Sequence, residues 1–354
     1  MRNKIALIVV LLGASMARAD RLVLVAGGGE KTENVPATKA KLKSPFGVDF
    51  DKAGNMYIVE LSGERVLKVD GKGTFTILGG TGKKGNVGDG GPARSAEFNG
   101  MHSLATGSDG QLYLADTWNN RIRKLDPKTG LITAFAGTGK KGSKGDGGPA
   151  LEAEFGGIYS VAFDAKGERL YLADLDNRKV RAVHMKRGIV ETIAGNGGKG
   201  APADGADAKA APLVDPRAVT VDSKGNVYIL ERGGHALRVV NAAGKIRTVV
   251  GTGKKGNTGD GGNALQATLN GPKHLCVDRD DNVIIADTAN HVIRKYLPKE
   301  NKIILLAGTG KKGTSSNGGD ALSVSFNEPH GVWIHNDVLY IVDSNNDRVF
   351  RMEK

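Results

Sequence analysis

The chain has 354 residues, of which 52 are glycine, 39% are apolar and only 5% are aromatic. That apolar share excludes a disordered chain, and a glycine content about twice the usual ~7% favours many short strands and tight turns. The formal net charge of +12 favours anionic partners such as acidic polysaccharide or an anionic lipid surface.

The first segment reads as a targeting sequence. Arg2 and Lys4 precede an apolar run from Ile5 to Leu12, and Ala17-Arg18-Ala19 has the small-x-small form of a cleavage site. Residues 1–19 are therefore expected to be a signal peptide, leaving residues 20–354 in the periplasm or outside the cell. No later segment approaches 18 apolar residues, so no transmembrane segment is expected.

Six copies of one motif follow. Asn55-Met-Tyr-Ile-Val-Glu60, Gln111-Leu-Tyr-Leu-Ala-Asp116, Arg169-Leu-Tyr-Leu-Ala-Asp174, Asn226-Val-Tyr-Ile-Leu-Glu231, Asn282-Val-Ile-Ile-Ala-Asp287 and Asp337-Val-Leu-Tyr-Ile-Val-Asp343 recur at steps of 56 to 58 residues. Each unit holds four short apolar runs separated by Gly/Asp/Pro turns, which is the pattern of a four-stranded propeller blade. The expected fold is an all-β, six-bladed β-propeller with blades near residues 44–99, 100–155, 156–215, 216–270, 271–327 and 328–354. The last unit lacks its fourth strand, and residues 21–27 are the spare one. The N-terminal strand is therefore expected to complete the last blade and remove two sheet edges.

Two motifs resemble the NHL repeat family: Tyr113-Leu-Ala-Asp116-Thr-Trp-Asn-Asn-Arg121-Ile-Arg123 and Ala136-Gly-Thr-Gly-Lys-Lys-Gly142-x-x-Gly145-Asp-Gly-Gly148-x-Ala150, each with its equivalents in other units. The resemblance covers residues 21–354 and implies the propeller fold. Similar six-bladed propellers include binding scaffolds, metal-dependent lactonases and an amidating lyase, so it does not imply one function.

The recurring acids Glu60, Asp116, Asp174, Glu231, Asp287 and Asp343 read as structural, each paired with a basic residue five or seven positions on: Arg65, Arg121, Lys179, Arg238, Arg294 and Arg348. The glycine loops do not match the phosphate-loop spacing and read as crossovers between blades, with their aspartates accepting backbone N–H bonds. Lysine pairs in four of these loops (Lys83, Lys84, Lys140, Lys141, Lys254, Lys255, Lys311, Lys312) are expected to form a basic crown on one face. Cys276 reads as a buried inert thiol, and Trp118 and Trp333 as packing residues. No nucleic-acid reader motif is present.

The informative positions are those where the repeats differ. At the start of the innermost strand stand Phe46, His102, Tyr159, Arg217, Lys273 and His330, with His274 beside Lys273. Repetition places them round one mouth of the central channel, where His102, Tyr159, Arg217, Lys273, His274 and His330 form the candidate ligand site. The primary expectation is a monomeric, non-enzymatic scaffold for a protein partner or an anionic or carbohydrate-like ligand, with no nucleic acid and no firmly expected cofactor. The alternative is a metal-dependent hydrolase or lyase at the same mouth. Its calcium ligands would be Glu328, Asp215 and Asn99, or its zinc ligands the histidines. No catalytic residue is assigned.

Overall fold

A computed structural model of the chain describes residues 20–315 and 318–354; residues 1–19, on which the signal-peptide expectation falls, lie outside the described residues. The described residues form six antiparallel sheets of four or five strands, arranged as a six-bladed propeller with short 3-10 turns and no α-helix. Neighbouring innermost strands (Pro45–Phe50, Ser103–Thr106, Ile158–Phe163, Pro216–Val221, His274–Val277 and Pro329–His335) touch one another all the way round, which defines the central channel.

The second strand of each blade explains the conspicuous sequence motif. Met56–Glu60, Leu112–Asp116 and Val227–Glu231 are buried along their whole length. They are flanked within the sheet on both sides and covered on both faces by adjacent blades, so they read as unbroken apolar runs instead of alternating. The core lies between blades as separate apolar clusters; one packs Tyr113 and Ala115 of the second blade against Ile158 and Leu170 of the third, together with Phe155 of the crossover.

The expected closure is present. Arg21–Gly27 pairs antiparallel with Arg348–Glu353, with Leu22 opposite Met352. Fourth strands end in a glycine for a steric reason. Gly308 has φ +101°, and an added Cβ would lie 2.6 Å from the His291 carbonyl oxygen, so the crossover can turn away only without a side chain.

The feature that positions the site is a bulge. In four blades the innermost strand slips register against the second strand between Pro45 and Gly47, Ile158 and Ser160, Pro216 and Ala218, and Pro329 and Gly331. Phe46, Tyr159, Arg217 and His330 are the unpaired residues, and a bulge re-aims its side chain out of the sheet's alternation.

Candidate functional site at the channel mouth

The mouth rests on the six recurring acids, all of which are buried. Each accepts a backbone N–H from the segment leading into its own innermost strand, as Asp116 does from Asn99 at 2.8 Å and Asp287 from Asn270 at 2.8 Å. In four blades the other oxygen accepts from an asparagine side chain (Asn119, Asn177, Asn290, Asn346), which also donates to a glycine carbonyl of the lysine loop. The acids are thus structural.

Their basic partners differ in part from the expected set. Arg65, Arg121, Arg238 and Arg294 pair as anticipated, at 2.6, 3.5, 2.8 and 3.2 Å. In the third blade Arg181 replaces Lys179 on Asp174, while Lys179 turns to Asp146. Arg348 donates to the Ser315 carbonyl. The loop aspartates were expected to cap backbone amides. Instead Asp89, Asp146 and Asp260 accept from the fully buried Arg123, Arg181 and Arg294 at 2.9 to 3.0 Å. Position seven after the acid faces the neighbouring crossover, so a long cation there reaches the loop aspartate first.

The variable residues form a ring. Phe46 meets His102 edge-on at 5.1 Å between centroids and His330 at 4.0 Å. His102 meets Tyr159 at 4.5 Å, and the Arg217 guanidinium lies 4.4 Å from the Tyr159 centroid. Lys273 Nζ closes on His330 Nε2 at 2.9 Å and on Glu328 Oε2 at 3.2 Å. Arg217 and Lys273 complete the ring as two like charges, and the Arg217 charge disfavours charge on Lys273. His274 is one layer deeper in the channel wall, where its Nδ1 accepts from the Val332 N–H at 3.5 Å. Burial and the charge of Arg217 push it down to about 4.

Two residues belong to the mouth that sequence reasoning left out. Arg232 pairs with Asp215 at 2.8 Å and lies close enough to oppose charge on His102, Arg217 and Lys273. Its signal was available, because the other blades carry the uncharged Leu61, Thr117, Leu175, Thr288 and Ser344 at that position. Trp118, expected as a packing residue, packs at the rim and is 43% exposed. It lies over Gly100, where a Cβ would collide with its ring, and its Nε1–H donates to Tyr159 at 3.3 Å.

The electrostatics are cationic. Arg217 is 4% exposed and no carboxylate stands within ion-pair distance of it among the described residues. Its Nε has no hydrogen-bond partner, and its one hydrogen bond goes to the Tyr159 carbonyl at 3.3 Å. Burial and the neighbouring Arg217 and Lys273 charges hold His102 and His330 well below the usual histidine range, so both are neutral near pH 7.

The carboxylates named for a metal are paired with cations here: Asp215 is engaged by Arg232 and Glu328 by Lys273. Three cations surround the carboxylates that would have to share a calcium ion, and Lys273 already occupies the free nitrogen of His330. The eight crown lysines are all exposed. Lys84 reaches inward over the Trp118 ring at 5.4 Å, and Lys141 pairs with Asp176 at 2.6 Å. At the far end of the channel a cavity of about 640 Å³ opens beside Phe50 and Phe163. Its Asp51 and Asp109 are already held by Tyr57 and Tyr113, and no mouth residue lines it.

The sequence profile of the teneurin NHL domain matches residues 150–258, and that of the NHL repeat matches residues 98–125. Protein SUPPRESSOR OF QUENCHING 1 of Arabidopsis thaliana is 26% identical over 335 residues, covering 90% of this chain and 31% of the plant protein. NHL repeat-containing protein 2 of Bos taurus is 26% identical, covering 67% of this chain and 37% of its own length. The chain thus spans about a third of these relatives. Among solved structures, an auxiliary nutrient binding protein from Bacteroides thetaiotaomicron superposes with a TM-score of 0.68 at 13% identity, covering 94% of this chain and 76% of that one. Virginiamycin B lyase from Staphylococcus aureus superposes at 0.54 and 12% identity, covering 95% and 99%. These likenesses in structure show the fold alone. Taken with the six repeats, the profile matches make the chain similar to NHL-repeat proteins, and its closed ring of blades is a six-bladed β-propeller.

Proposed function

We propose that this propeller is a binding scaffold, exported from the cytoplasm, that captures an anionic ligand at the channel mouth. The observation that carries this reading is Arg217: a guanidinium removed from water, stacked on Tyr159, its Nε unpaired and no carboxylate within ion-pair distance among the described residues. Burying a cation without a partner is costly, and an anion bound between Arg217 and Lys273 would offset that cost with charge-assisted hydrogen bonds. The crown lysines raise the positive potential round the mouth and speed capture without touching the bound ligand. Export rests on the pattern of residues 1–19; a mature N-terminus near Asp20, read from protein recovered outside the cytoplasm, would support it.

The test is a titration with acetate and with sulfate, followed by the two indole N–H signals of Trp118 and Trp333. Binding is expected to shift the Trp118 signal and to weaken as ionic strength rises. Replacing Arg217→Met and Lys273→Met together should abolish that shift and its salt dependence. An unchanged titration in a folded double variant would overturn the assignment.

A further inference from the structure

The hydrogen positions at the mouth can be deduced, and they restrict the ligand further than charge does. His102 Nδ1 stands 2.8 Å from the Gly100 carbonyl oxygen and 3.0 Å from Thr117 Oγ1. A carbonyl only accepts, and the Thr117 hydroxyl spends its hydrogen on backbone carbonyls, at 2.7 Å to Ile158. Both neighbours of Nδ1 are therefore acceptors, and the proton of this neutral imidazole sits on Nδ1. Nε2 is left as a bare acceptor with no hydrogen-bond partner among the described residues. His330 has the same tautomer, since its Nδ1 faces the Glu328 carbonyl at 2.8 Å, but Lys273 fills its Nε2.

Other polar groups round the ring also have capacity to spare. Tyr159 accepts from Trp118 Nε1, which leaves the phenol's own hydrogen free to donate. Glu328 engages Lys273 through one oxygen only and is 38% exposed along its side chain. An inorganic anion such as sulfate carries no donor for His102 or Glu328. A donor on a cationic group would be repelled by Arg217, Lys273 and Arg232. Neutral hydroxyls on an anionic molecule satisfy both conditions, and the partly exposed Trp118 beside His102 offers apolar rim surface for the C–H bonds of a saturated ring.

We propose that the ligand taken at the mouth is a uronic-acid unit, its carboxylate between Arg217 and Lys273 and one hydroxyl donating to His102 Nε2. This rests on the anion-binding reading above and narrows it to a hydroxylated sugar acid.

The experiment separates the two by crossing charge with hydroxyls. D-glucuronate, acetate, sulfate and D-glucose are titrated against the full-length protein and followed by the Trp118 indole signal. D-glucuronate is expected to bind at least about tenfold more tightly than acetate, the contribution of one or more added hydrogen bonds in a desolvated site. D-glucose is expected to give no saturable shift. His102→Phe copies the residue that stands at the equivalent position in the first blade, and it should bring the glucuronate-to-acetate ratio to about one. Equal binding of acetate and glucuronate by the unaltered protein would overturn the sugar-acid inference and leave the anion reading intact. Failure of every anion to bind would overturn both. A preference that survives His102→Phe would remove His102 as its source.

Discussion

Arg294 offers a stringent test of the scaffold beneath the mouth. Its guanidinium is fully buried and makes five contacts: Asp260 at 2.9 and 2.8 Å, the Thr268 and Thr258 carbonyls at 2.7 and 3.0 Å, and Asp287 at 3.2 Å. Asp260 is one-third exposed, so water can replace Arg294 there, and that half of the network contributes about 1 kcal/mol or less. Asp287 is fully buried and has no such recourse. Arg294→Met would leave its carboxylate on the Asn270 N–H and the Asn290 amide alone, a loss of about 3–5 kcal/mol for a broken buried pair. Burial already pushes Asp287 up to about 6, against about 3.9 in an unfolded chain. A raised folded value means that its stabilising contribution is present below about pH 4 and lost as pH rises through 6; removing Arg294 pushes it higher still. The deficit of Arg294→Met should therefore be largest at pH 7 and shrink at pH 5, where Asp287 is protonated. Urea unfolding followed by circular dichroism at both pH values measures it, with Asp260→Asn as the comparison. A deficit no larger than that of Asp260→Asn, or one independent of pH, would refute the claim that Arg294 supplies the counter-charge for Asp287.

Leu22→Ala tests the closing strand: Leu22 is 1% exposed in the last inter-blade cluster, so the change should cost about 2–5 kcal/mol in urea unfolding, whereas Leu131→Ala, at a residue 49% exposed, should leave the midpoint nearly unmoved. Replacing Lys84, Lys141, Lys255 and Lys312 with glutamine should slow glucuronate association at low salt, as measured by stopped-flow fluorescence. The rates should converge with those of the unaltered protein once added salt shortens the screening length to ~3 Å.

The architecture was legible because a propeller writes each blade separately: the buried second strand repeats its apolar run and terminal acid at nearly constant spacing, and the chain ends display the missing and the spare strand. The candidate ring was legible for the complementary reason, since Phe46, His102, Tyr159, Arg217, Lys273 and His330 differ where repetition imposes nothing. Depth was not legible. Period-two alternation puts His274 next to Lys273 along the chain, but it cannot say that one caps a neighbouring strand's amide while the other reaches the mouth. The bulges behind Phe46, Tyr159, Arg217 and His330 leave no mark in composition. The partner of each buried arginine depends on the distance between one blade's third strand and the preceding crossover, which is a tertiary quantity. The rim position of Trp118 was not legible, because its packing surface is the missing side chain of Gly100, which appears in sequence only as another glycine among many.

The closing sheet also sets an order on folding. Within a blade, strands meet their partners across turns of a few residues, whereas Arg21–Gly27 must wait for a partner more than three hundred residues away. Loop closure grows only logarithmically, so this pairing costs roughly 2.5 kcal/mol more entropy than closing a loop of about 20 residues. Its long sequence separation makes it the pairing expected to form last and the expected place for the ring to open first. Until the latch engages, the sixth blade lacks its outer strand and the ring of mouth residues has no fixed circumference. A ligand that bridges Arg217 and Lys273, the latter bonded to His330 of the sixth blade, would thus stabilise the latch as well, and should slow exchange of the backbone amides of residues 348–353 with solvent.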